Sequence, residues 1–589
     1  MKKYSYIIIF LFAVVTCFSC RRKEKSGDVV ILYTTDIHGN VLPYDFNKKS
    51  PNESSLANAS TLIKELRSQY GEDLLLIDAG DYFQGTPSMY YYNYYSTEED
   101  HLISRVSNYL EYDALVVGNH DLESGESVIQ NIDKQLRMPW LGGNAIDTRI
   151  NRAMFRPYKI FDRHGFKIAV LGLTTPESQT QIPRGLIPHI EFATMVDYAK
   201  RWVKEIQNNE HPDYIVCILH SGIKDIEVVR SKGDTIRDGL RYVVENVKGI
   251  DLVLFGHDHD VYQGEKINLW ADTVKLLQPG AHGTEIGRID IHLERKGRHV
   301  EKETKTERIP LKDIPIDEEY VSVFKGVIDT VNNYLDGPLG YLDVDFDMVG
   351  TLYKQTNTMD FIHGIQLDAT GADVSLASAL STFRDIPAGP ITLRTIFSLY
   401  KYDNQLHKVW MTGEDIKKYL EYGYSRQFDY VNLENKKHLL AFKYDDKGQI
   451  IYARFGPELV VPQYNYSSAA GINYEVDVRK PRGNRVNIIS MADGSPFDLG
   501  RQYTVAISSY QAAGGGGFIN RGIGWSNDDI AYHTLSISNN TIIYLIADYI
   551  RKTQHINPEP RGTWKVIPED FANSAGPKDA DLLIPYIVK

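Results

Sequence analysis

Short apolar runs alternate with longer amphipathic stretches through the first half of the chain. Residues 60–70 and 195–207 show helical spacing, and five apolar runs read as buried strands: 29–32, 74–77, 114–117, 215–219 and 252–255. Strand-like and helix-like segments that alternate in this way are typical of a layered α/β domain. The pattern therefore predicts such a domain over residues 28–310.

The pattern changes in the second half of the chain. Residues 318–335 carry apolar positions at helical spacing and stop before Gly337 and Pro338, so we expect a linker helix within 311–336. Strand alternation, Gly/Pro turns and a few helices follow, one of them beginning near the capping residue Thr412. We therefore predict a separate α+β domain over 337–570 and a tail over 571–589.

The N-terminus has the composition of an export signal. Lys2 and Lys3 precede an apolar stretch from residue 7 to 15, and Cys20 follows Ser19. This segment resembles a lipoprotein signal, which implies a signal peptide over 1–19, a lipidated Cys20 and a tether over 20–27. An ordinary signal peptide and an uncleaved anchor are the alternatives. We expect an exported protein, periplasmic or at the cell surface, held to a bacterial membrane by Cys20.

Composition and charge narrow the choice of partners. The chain has 589 residues and a net charge of −12, which argues against a nucleic-acid polymer as ligand. A small phosphate ester remains possible because bound metal ions would invert the local field. If Cys17 is removed and Cys20 is acylated, Cys217 is the one remaining thiol, and its apolar strand predicts a buried core residue. No obligate protein partner is evident.

Residues that suit metal ions follow each of the five strand-like runs. All of them lie at or just beyond the C-terminal end of a predicted strand, the edge at which open α/β sheets bind ligands. They are Asp36 and His38, Asp81, Asn119, His220, and His257 and His259.

These residue types suit a two-metal hydrolytic site. Hydrolysis of a phosphate ester needs a nucleophilic water and neutralised phosphoryl oxygens, and two metal ions about 3.5–4 Å apart provide both. Imidazole and carboxylate ligands together favour borderline metals. Asp81 offers a carboxylate that could bridge the pair. The sequence therefore predicts two divalent metal ions, zinc or manganese.

The ordered motifs resemble those of the calcineurin-like metallophosphoesterases, and more narrowly those of the 5'-nucleotidase superfamily. The resemblance implies a four-layer αββα sandwich followed by a C-terminal α+β nucleotide-binding domain. It also implies the ligand set: Asp36, His38 and His259 for one metal, Asn119, His220 and His257 for the other, with Asp81 bridging them.

The same resemblance assigns His120 as a catalytic residue that is not a ligand. It would stabilise the phosphoryl group and assist the leaving oxygen. Relatives often have an aspartate three residues after this histidine, where this chain has Glu123. Glu123 is thus the expected partner of His120, and Asp121 is the alternative. His282 is interpreted as a loop residue that supports the site.

Two segments of the second half resemble the family's base-binding motifs. They imply that Tyr402 and Tyr510 stack on the base and that Asn404 contacts its edge. Arg384 is what remains of an Asn-x-Gly-Gly-x-Arg motif, and it is assigned to substrate binding. An acidic residue that contacts ribose hydroxyls in some 5'-nucleotidases is replaced by Gly516.

These departures favour one branch of the family. Glycine at 516 would not repel a phosphate carried on the ribose, so we predict a 2',3'-cyclic-nucleotide 2'-phosphodiesterase/3'-nucleotidase. A 5'-nucleotidase or UDP-sugar hydrolase of the same superfamily is the alternative. A nucleotide-binding surface lipoprotein without catalysis is a third interpretation, and its only support is the replacement at Glu123.

Overall fold

A computed structural model of the chain describes residues 25–584 apart from 183–184, 230–234, 381–383, 432–436 and 454–455. Two six-stranded sheets form the first half. The first has the strand order His299–Pro310, Glu285–Lys296, Lys25–Thr34, Leu74–Asp78, Ala114–Val116 and Trp140–Leu141. The second has the order Val261–Ile267, Thr273–Pro279, Leu252–Phe255, Tyr214–His220, Phe166–Thr174 and Tyr158–Arg163.

The central strands of each sheet run parallel, and antiparallel strands close the flanks. Their side chains alternate between two cores. Ile31 and Ile77 of the first sheet pack with Val216 and Leu254 of the second. Alternation is expected because successive side chains of a strand point to opposite faces.

The outer face of each sheet is covered by helices. Leu56–Tyr70, Leu102–Leu110 and Glu126–Gln135 pack on the first sheet, and Met195–Asn209 and Leu240–Asn246 pack on the second. Cys217 is buried beneath the two helices that pack on the second sheet, as predicted. The four layers confirm the predicted αββα sandwich.

Helix Glu318–Asp336 connects the two halves. Asp317 caps its N-terminus by accepting hydrogen bonds from the backbone N–H groups of Glu319 and Tyr320. Tyr320, Phe324, Val327 and Val331 share one core with helices of both halves. The helix is therefore packed along its length.

The C-terminal domain is built on a five-stranded mixed sheet. Its strand order is Ser467–Ala470, Val374–Ser378, Gln502–Ser508, Gln405–Thr412 and Thr534–Thr541. Two three-stranded sheets flank it, Gly389–Thr392, Pro338–Leu342 and His555–Ile556, and Val486–Met491, Ile472–Asp477 and Trp564–Ile567. The α-helices are Asn357–Thr370, Leu393–Leu399, Gly413–Gln427, Ser509–Ala512, Asn527–His533, Ile542–Thr553 and Glu569–Leu583. Thr412 caps Gly413–Gln427, as its sequence predicts. The fold class, α/β followed by α+β, is confirmed.

Two predicted segments differ from the structure. Residues 25–27 of the predicted tether pair with Arg295, Glu294 and Leu293 as the start of the first strand. Most of the predicted tail forms helix Glu569–Leu583, which lies on the C-terminal core. Its Asp579 is buried and accepts hydrogen bonds from the backbone N–H groups of Leu439 and Leu440, which holds the helix in place.

The predicted signal peptide 1–19 and the predicted lipidation site Cys20 lie outside the described residues. Within the described residues, no helix has both the length and the apolar character that a membrane crossing requires.

Candidate two-metal active site

The predicted ligands lie together at one edge of the sandwich, where the parallel strands of both sheets end. Several of them have a left-handed backbone: φ is 49° at Asp36, 48° at His38, 58° at Asp81, 84° at His257 and 58° at His259. Such values are uncommon for residues with a side chain and tend to cluster at functional sites. The loops bend sharply here so that each side chain turns back toward a common point.

Asp36, His38 and His259 form the first cluster, with ligand atoms within 4.8 Å of one another. The Nε2 atoms of His38 and His259 are 2.9 Å apart, and His259 Nε2 is 3.6 Å from Asp36 Oδ1. His38 Nδ1 lies 3.1 Å from the Gln84 carbonyl oxygen. Donation to that carbonyl leaves a lone pair on Nε2, directed into the cluster.

Asp81, His220 and His257 form the second cluster within the same 4.8 Å limit. Asn119 Oδ1 lies 3.1 Å from His220 Nε2 and 2.9 Å from His257 Nδ1, so the asparagine amide joins this group. His220 Nδ1 is 2.8 Å from the Ala79 carbonyl oxygen, which orients the ring as Gln84 orients His38.

Asp81 reaches both clusters. Its Oδ2 atom is 3.1 Å from His220 Nε2 and 3.8 Å from His38 Nε2. Gly118 makes this position possible, because a Cβ at residue 118 would lie 2.2 Å from Asp81 Oδ1. One carboxylate between two imidazole groups is the arrangement that a bridging ligand requires.

The electrostatics of the clusters favour cation binding. Burial holds the pKa of His38 well below its usual value, so the ring is neutral. Burial alone would raise the pKa of Asp81, but the charges of His220 and His120 outweigh it and hold that pKa well below the usual value. The neutral imidazole of His38 and the ionised carboxylate of Asp81 are protonation states that metal ligands need. Burial would lower the pKa of His220, yet Asp81 raises it to about 9, so a bound cation would take the place of that proton. The donor set therefore fits two divalent cations.

His120 lies beside the clusters and pairs with Glu123. Its Nδ1 atom is 2.9 Å from Glu123 Oε1, and its backbone N–H donates to Asp81 Oδ1 at 2.8 Å. Burial would lower the pKa of His120, yet the carboxylates of Glu123 and Asp81 raise it to about 10. The Nε2 atom of His120 is therefore available to contact a substrate.

Asp121 has a different position. It is buried and accepts hydrogen bonds from the backbone N–H groups of Gly118, Asp81, Tyr82 and Phe83. Its carboxylate therefore holds two of the site's loops together, and the structure places Glu123 next to His120 instead.

A cavity of about 890 Å³ lies between the second cluster and the C-terminal domain. Asn119, His120, Glu123 and His257 line it from the first domain. Tyr402, Asn404 and Tyr510 line it from the second, so residues far apart in sequence share one space. Asn404 is oriented by the Tyr400 hydroxyl, at 3.3 Å from its Nδ2, and by the Ser509 hydroxyl, at 3.3 Å from its Oδ1.

Arg384 is not brought to this cavity. It is exposed and is absent from the cavity lining in the described part of the chain. Three residues before it, 381–383, lie outside the described set. The structure thus separates Arg384 from the other predicted substrate residues.

Sequence analysis does not identify Tyr464 or Asp403 as cavity residues, whereas His282 lies where it predicts a supporting loop residue. Tyr464 lines the cavity with Tyr402 and Tyr510. Asp403 also lines it, and burial together with the charge of Glu123 raises its pKa to about 8. His282 lies beside the first cluster, its ring centroid 5.4 Å from that of His38 and 5.3 Å from that of His259. The position of Asp403 between Tyr402 and Asn404 was a usable signal, whereas Tyr464 has no motif around it.

Comparison with protein families now adds to this geometry. The model for calcineurin-like phosphoesterases matches residues 29–261. The model for the 5'-nucleotidase C-terminal domain matches residues 338–521. Together the two models cover most of the described chain, in the order that the fold shows. The chain belongs to the 5'-nucleotidase family of metallophosphoesterases.

Individual relatives of this family are distant in sequence. A 2',3'-cyclic-nucleotide 2'-phosphodiesterase/3'-nucleotidase of Yersinia enterocolitica is 22% identical, over 96% of this chain and 92% of its own length. The trifunctional nucleotide phosphoesterase protein YfkN of Bacillus subtilis is 24% identical over 92% of this chain, and the match spans 39% of YfkN. A candidate 5'-nucleotidase structure from Staphylococcus aureus has a TM-score of 0.70 at 20% identity, covering 92% of this chain and all of that one.

The family member described here is a nucleotide phosphoesterase. Its metallophosphoesterase domain contains two candidate His/Asp metal clusters, and its relatives are named for action on nucleotides. An enzyme, rather than a nucleotide-binding protein without catalysis, is therefore the interpretation that stands.

Proposed function

We propose that this enzyme is an exported 2',3'-cyclic-nucleotide 2'-phosphodiesterase/3'-nucleotidase. One observation carries the proposal: His257 and Asn119 of the second cluster line one cavity together with His120 and a set of tyrosines from the other domain. The clusters can hold metals and a phosphoryl group, while the tyrosines can hold a base.

Asp36, His38 and His259 would hold one divalent metal, and Asn119, His220 and His257 the other, with Asp81 between them. Zinc or manganese suits this mixture of imidazole, carboxylate and amide ligands. When bound, the metals would activate water and neutralise charge on the phosphoryl oxygens.

His120 is the side chain that would act directly on the phosphoryl group and the leaving oxygen. Its Nδ1 is held by Glu123, so its Nε2–H points away from the pair and toward the cavity. A positively charged imidazole here stabilises the negative charge that develops on the phosphoryl oxygens. It can also give a proton to the leaving ribose oxygen. Glu123 is a positioning residue that orients the ring of His120 and stabilises its protonated form.

The nucleoside would bind between Tyr402 and Tyr510. Stacking of a base on an aromatic side chain contributes about 1–3 kcal/mol in single-strand binders. Asn404 presents a fixed amide to the base edge, and Tyr464 adds a third aromatic surface.

Gly516 supports the choice of branch. Its φ is +71°, and a Cβ there would lie 2.7 Å from Asn465 Oδ1 and 2.7 Å from the Phe518 ring. A side chain at this position would therefore be strained and would clash with Asn465 and Phe518. The wall near Tyr510 carries no acidic group at residue 516 to repel a phosphate on the 2' or 3' oxygen.

A substrate panel tests the proposal. Purified protein loaded with manganese or zinc is given 2',3'-cyclic AMP, 3'-AMP and 5'-AMP, and kcat/KM is measured for each. We expect the cyclic and 3' substrates to be preferred. A clear preference for 5'-AMP would establish the alternative, a 5'-nucleotidase of the same family. Asp81→Ala serves as the inactive control.

Export and lipid anchoring belong to the same proposal. Their support is the sequence before the first strand, with its basic start, apolar stretch and Cys20. Metabolic labelling with a radioactive fatty acid should label the wild-type chain and not Cys20→Ala, and labelling of both would contradict anchoring at Cys20.

A further inference from the structure

The cavity extends past the residues assigned to the nucleoside and the phosphoryl group. Tyr95, Tyr334, Tyr544 and Arg551 also line it, and we call this set the tyrosine lobe. The four residues come from three elements: the π-helix Tyr91–Tyr95, the linker helix Glu318–Asp336 and helix Ile542–Thr553. No step of the proposed reaction uses any of them.

The side chains of the tyrosine lobe are held in place by packing and by hydrogen bonds between the two domains. The rings of Tyr95 and Tyr334 pack at a centroid distance of 4.5 Å. Beside them, the Tyr90 hydroxyl lies 3.3 Å from Thr541 Oγ1, a hydrogen bond that joins the two domains. Tyr95 nevertheless remains 64% exposed and Tyr544 42% exposed. Flat aromatic surface is therefore available to a ligand.

Helix Ile542–Thr553 presents two distinct faces. Ile543, Ile546 and Ile550 are buried in the core. Tyr544, Ala547 and Arg551 follow one another at helical spacing and line the cavity. The apolar face anchors the helix, which leaves Tyr544 and Arg551 on a fixed support.

Arg551 is the charged member of the lobe. Its guanidinium group makes no hydrogen bond or ion pair with any of the residues that the structure describes. The adjacent Lys552 is different, since its Nζ lies 2.6 Å from Asp548 Oδ2. An arginine with free N–H groups beside a cavity is suited to a phosphate, which it can bind through two parallel hydrogen bonds.

We propose that the tyrosine lobe binds a second nucleotide unit of the substrate. Arg551 contacts the phosphodiester that joins the two units, and Tyr544 or Tyr95 stacks on the second base. The substrate class is then a dinucleotide or short oligoribonucleotide that ends in a 2',3'-cyclic or 3'-phosphate. The inference rests on the proposed function, which places the terminal nucleoside at Tyr402 and Tyr510.

Three features on this surface favour that occupant. Aromatic faces and one unpaired cation together match a base linked to a phosphate. Ligand cavities are commonly about 300–1,000 Å³, and this one is near the upper limit at about 890 Å³. The residues assigned to a mononucleotide occupy only part of its wall.

Kinetics on two matched substrates test the inference. We measure kcat/KM for 2',3'-cyclic AMP and for adenylyl-(3'→5')-adenosine with a terminal 2',3'-cyclic phosphate. The wild type should prefer the dinucleotide by about tenfold, the effect of one stacked base or one charged contact. Arg551→Gln and Tyr544→Ala should each remove most of this preference and leave turnover of 2',3'-cyclic AMP within about twofold.

Two control variants separate the lobe from general effects. Lys552→Gln removes one positive charge from the same helix outside the cavity. Tyr532→Ala removes a tyrosine that is 76% exposed and does not line the cavity. Both should keep the wild-type preference, and circular dichroism should show all four variants to be folded.

The outcomes distinguish the two proposals. Equal kcat/KM for both substrates in the wild type, or equal losses on both in Arg551→Gln, would overturn the inference. If neither cyclic substrate is hydrolysed, the proposed function fails instead. Equilibrium binding of adenylyl-(3'→5')-adenosine and of adenosine, followed by tyrosine fluorescence, then still tests the lobe. Arg551→Gln should weaken the binding of the dinucleotide and leave the binding of adenosine unchanged. If the variant binds both ligands as the wild type does, the tyrosine lobe is not a nucleotide site.

Discussion

At the residue scale, His120 and Glu123 determine how the site can act. Glutamate replaces the aspartate that many relatives have, yet its Oε1 lies 2.9 Å from His120 Nδ1. The extra methylene is accommodated because both residues belong to one helical turn that begins at His120. Sequence comparison alone left Asp121 as an alternative, and the backbone hydrogen bonds to Asp121 assign it to the loops.

Glu123→Gln tests the positioning role of this carboxylate. The amide keeps the shape but not the charge that stabilises protonated His120, so kcat should fall by about 10- to 100-fold on 3'-AMP, with KM little changed. Glu123→Asp should retain more activity than Glu123→Gln. Glu126→Gln, three residues along and paired with Arg149, is the matched control and should stay near wild type. Equal activity of Glu123→Gln and wild type would contradict the role.

Asp403 gives a prediction about pH. Burial, with Glu123 adding to it, raises its pKa from 3.8 to about 8. Between these values the unfolded chain releases this proton while the folded chain keeps it, so this residue lowers stability as pH rises from about 4 to 8. In metal-free protein, Asp403→Asn should therefore gain stability over wild type across this window, by up to about 5 kcal/mol at pH 8, because each pKa unit corresponds to about 1.4 kcal/mol.

Urea unfolding of both proteins at pH 5, 7 and 8.5 measures this effect. The difference in unfolding free energy should grow with pH and level off above about 8. A difference that is constant with pH would show that Asp403 is ionised across the range. Asp385→Asn, the same change at a residue that binds only backbone N–H groups among the described contacts, is the comparison variant.

At the element scale, the loops that follow the strands determine the positions of the metal ligands more directly than the strands do. Strand positions follow from apolar runs, but the preference of aspartate and histidine for the left-handed region is too weak to predict that Asp36, His38 and Asp81 adopt it. They are imposed because the loops must turn each ligand back over the sheet edge. Glycines fill the places where loops approach most closely, as Gly118 does beside Asp81.

Gly118→Ala tests this close approach. The new Cβ would lie 2.2 Å from Asp81 Oδ1 and 2.3 Å from its backbone nitrogen, so one of the two loops must move. Activity should fall at least about 100-fold because ligand positions shift, by analogy with the effect of small misplacements at other active sites. Gly326→Ala, in the linker helix with open space around it, should keep full activity and gain slight stability. An active Gly118→Ala enzyme would contradict the close packing.

At the scale of the whole molecule, function depends on the contact between two domains. The first domain holds the clusters and the second holds Tyr402 and Tyr510, while the cavity exists only between them. Packing of the linker helix against both halves, and the Tyr90–Thr541 hydrogen bond, keep the two sets facing each other. Neither domain alone would form a complete site.

Metal binding should stabilise the whole chain. The clusters place several metal-ligand atoms within 4.8 Å of one another. A bound cation would remove the repulsion between their lone pairs. Thermal unfolding should therefore shift upward when manganese or zinc is added to chelator-treated protein, with about 4 kcal/mol gained at a thousandfold excess over Kd. Asp81→Ala should lose most of the shift. An unchanged melting temperature in the wild type would contradict metal binding at these residues.

The sequence by itself determined the layered α/β fold, the α+β second domain and the set of metal-ligand candidates. Apolar periodicity specifies strands and helices locally, and ligand chemistry is a property of residue type, so both can be read along the chain. Only the tertiary structure decided which carboxylate faces His120, that 571–583 is a packed helix, and that Arg384 lies outside the cavity while Asp403, Tyr464 and Arg551 line it. These facts depend on contacts between residues far apart in sequence, and such contacts are set by the packing of two domains.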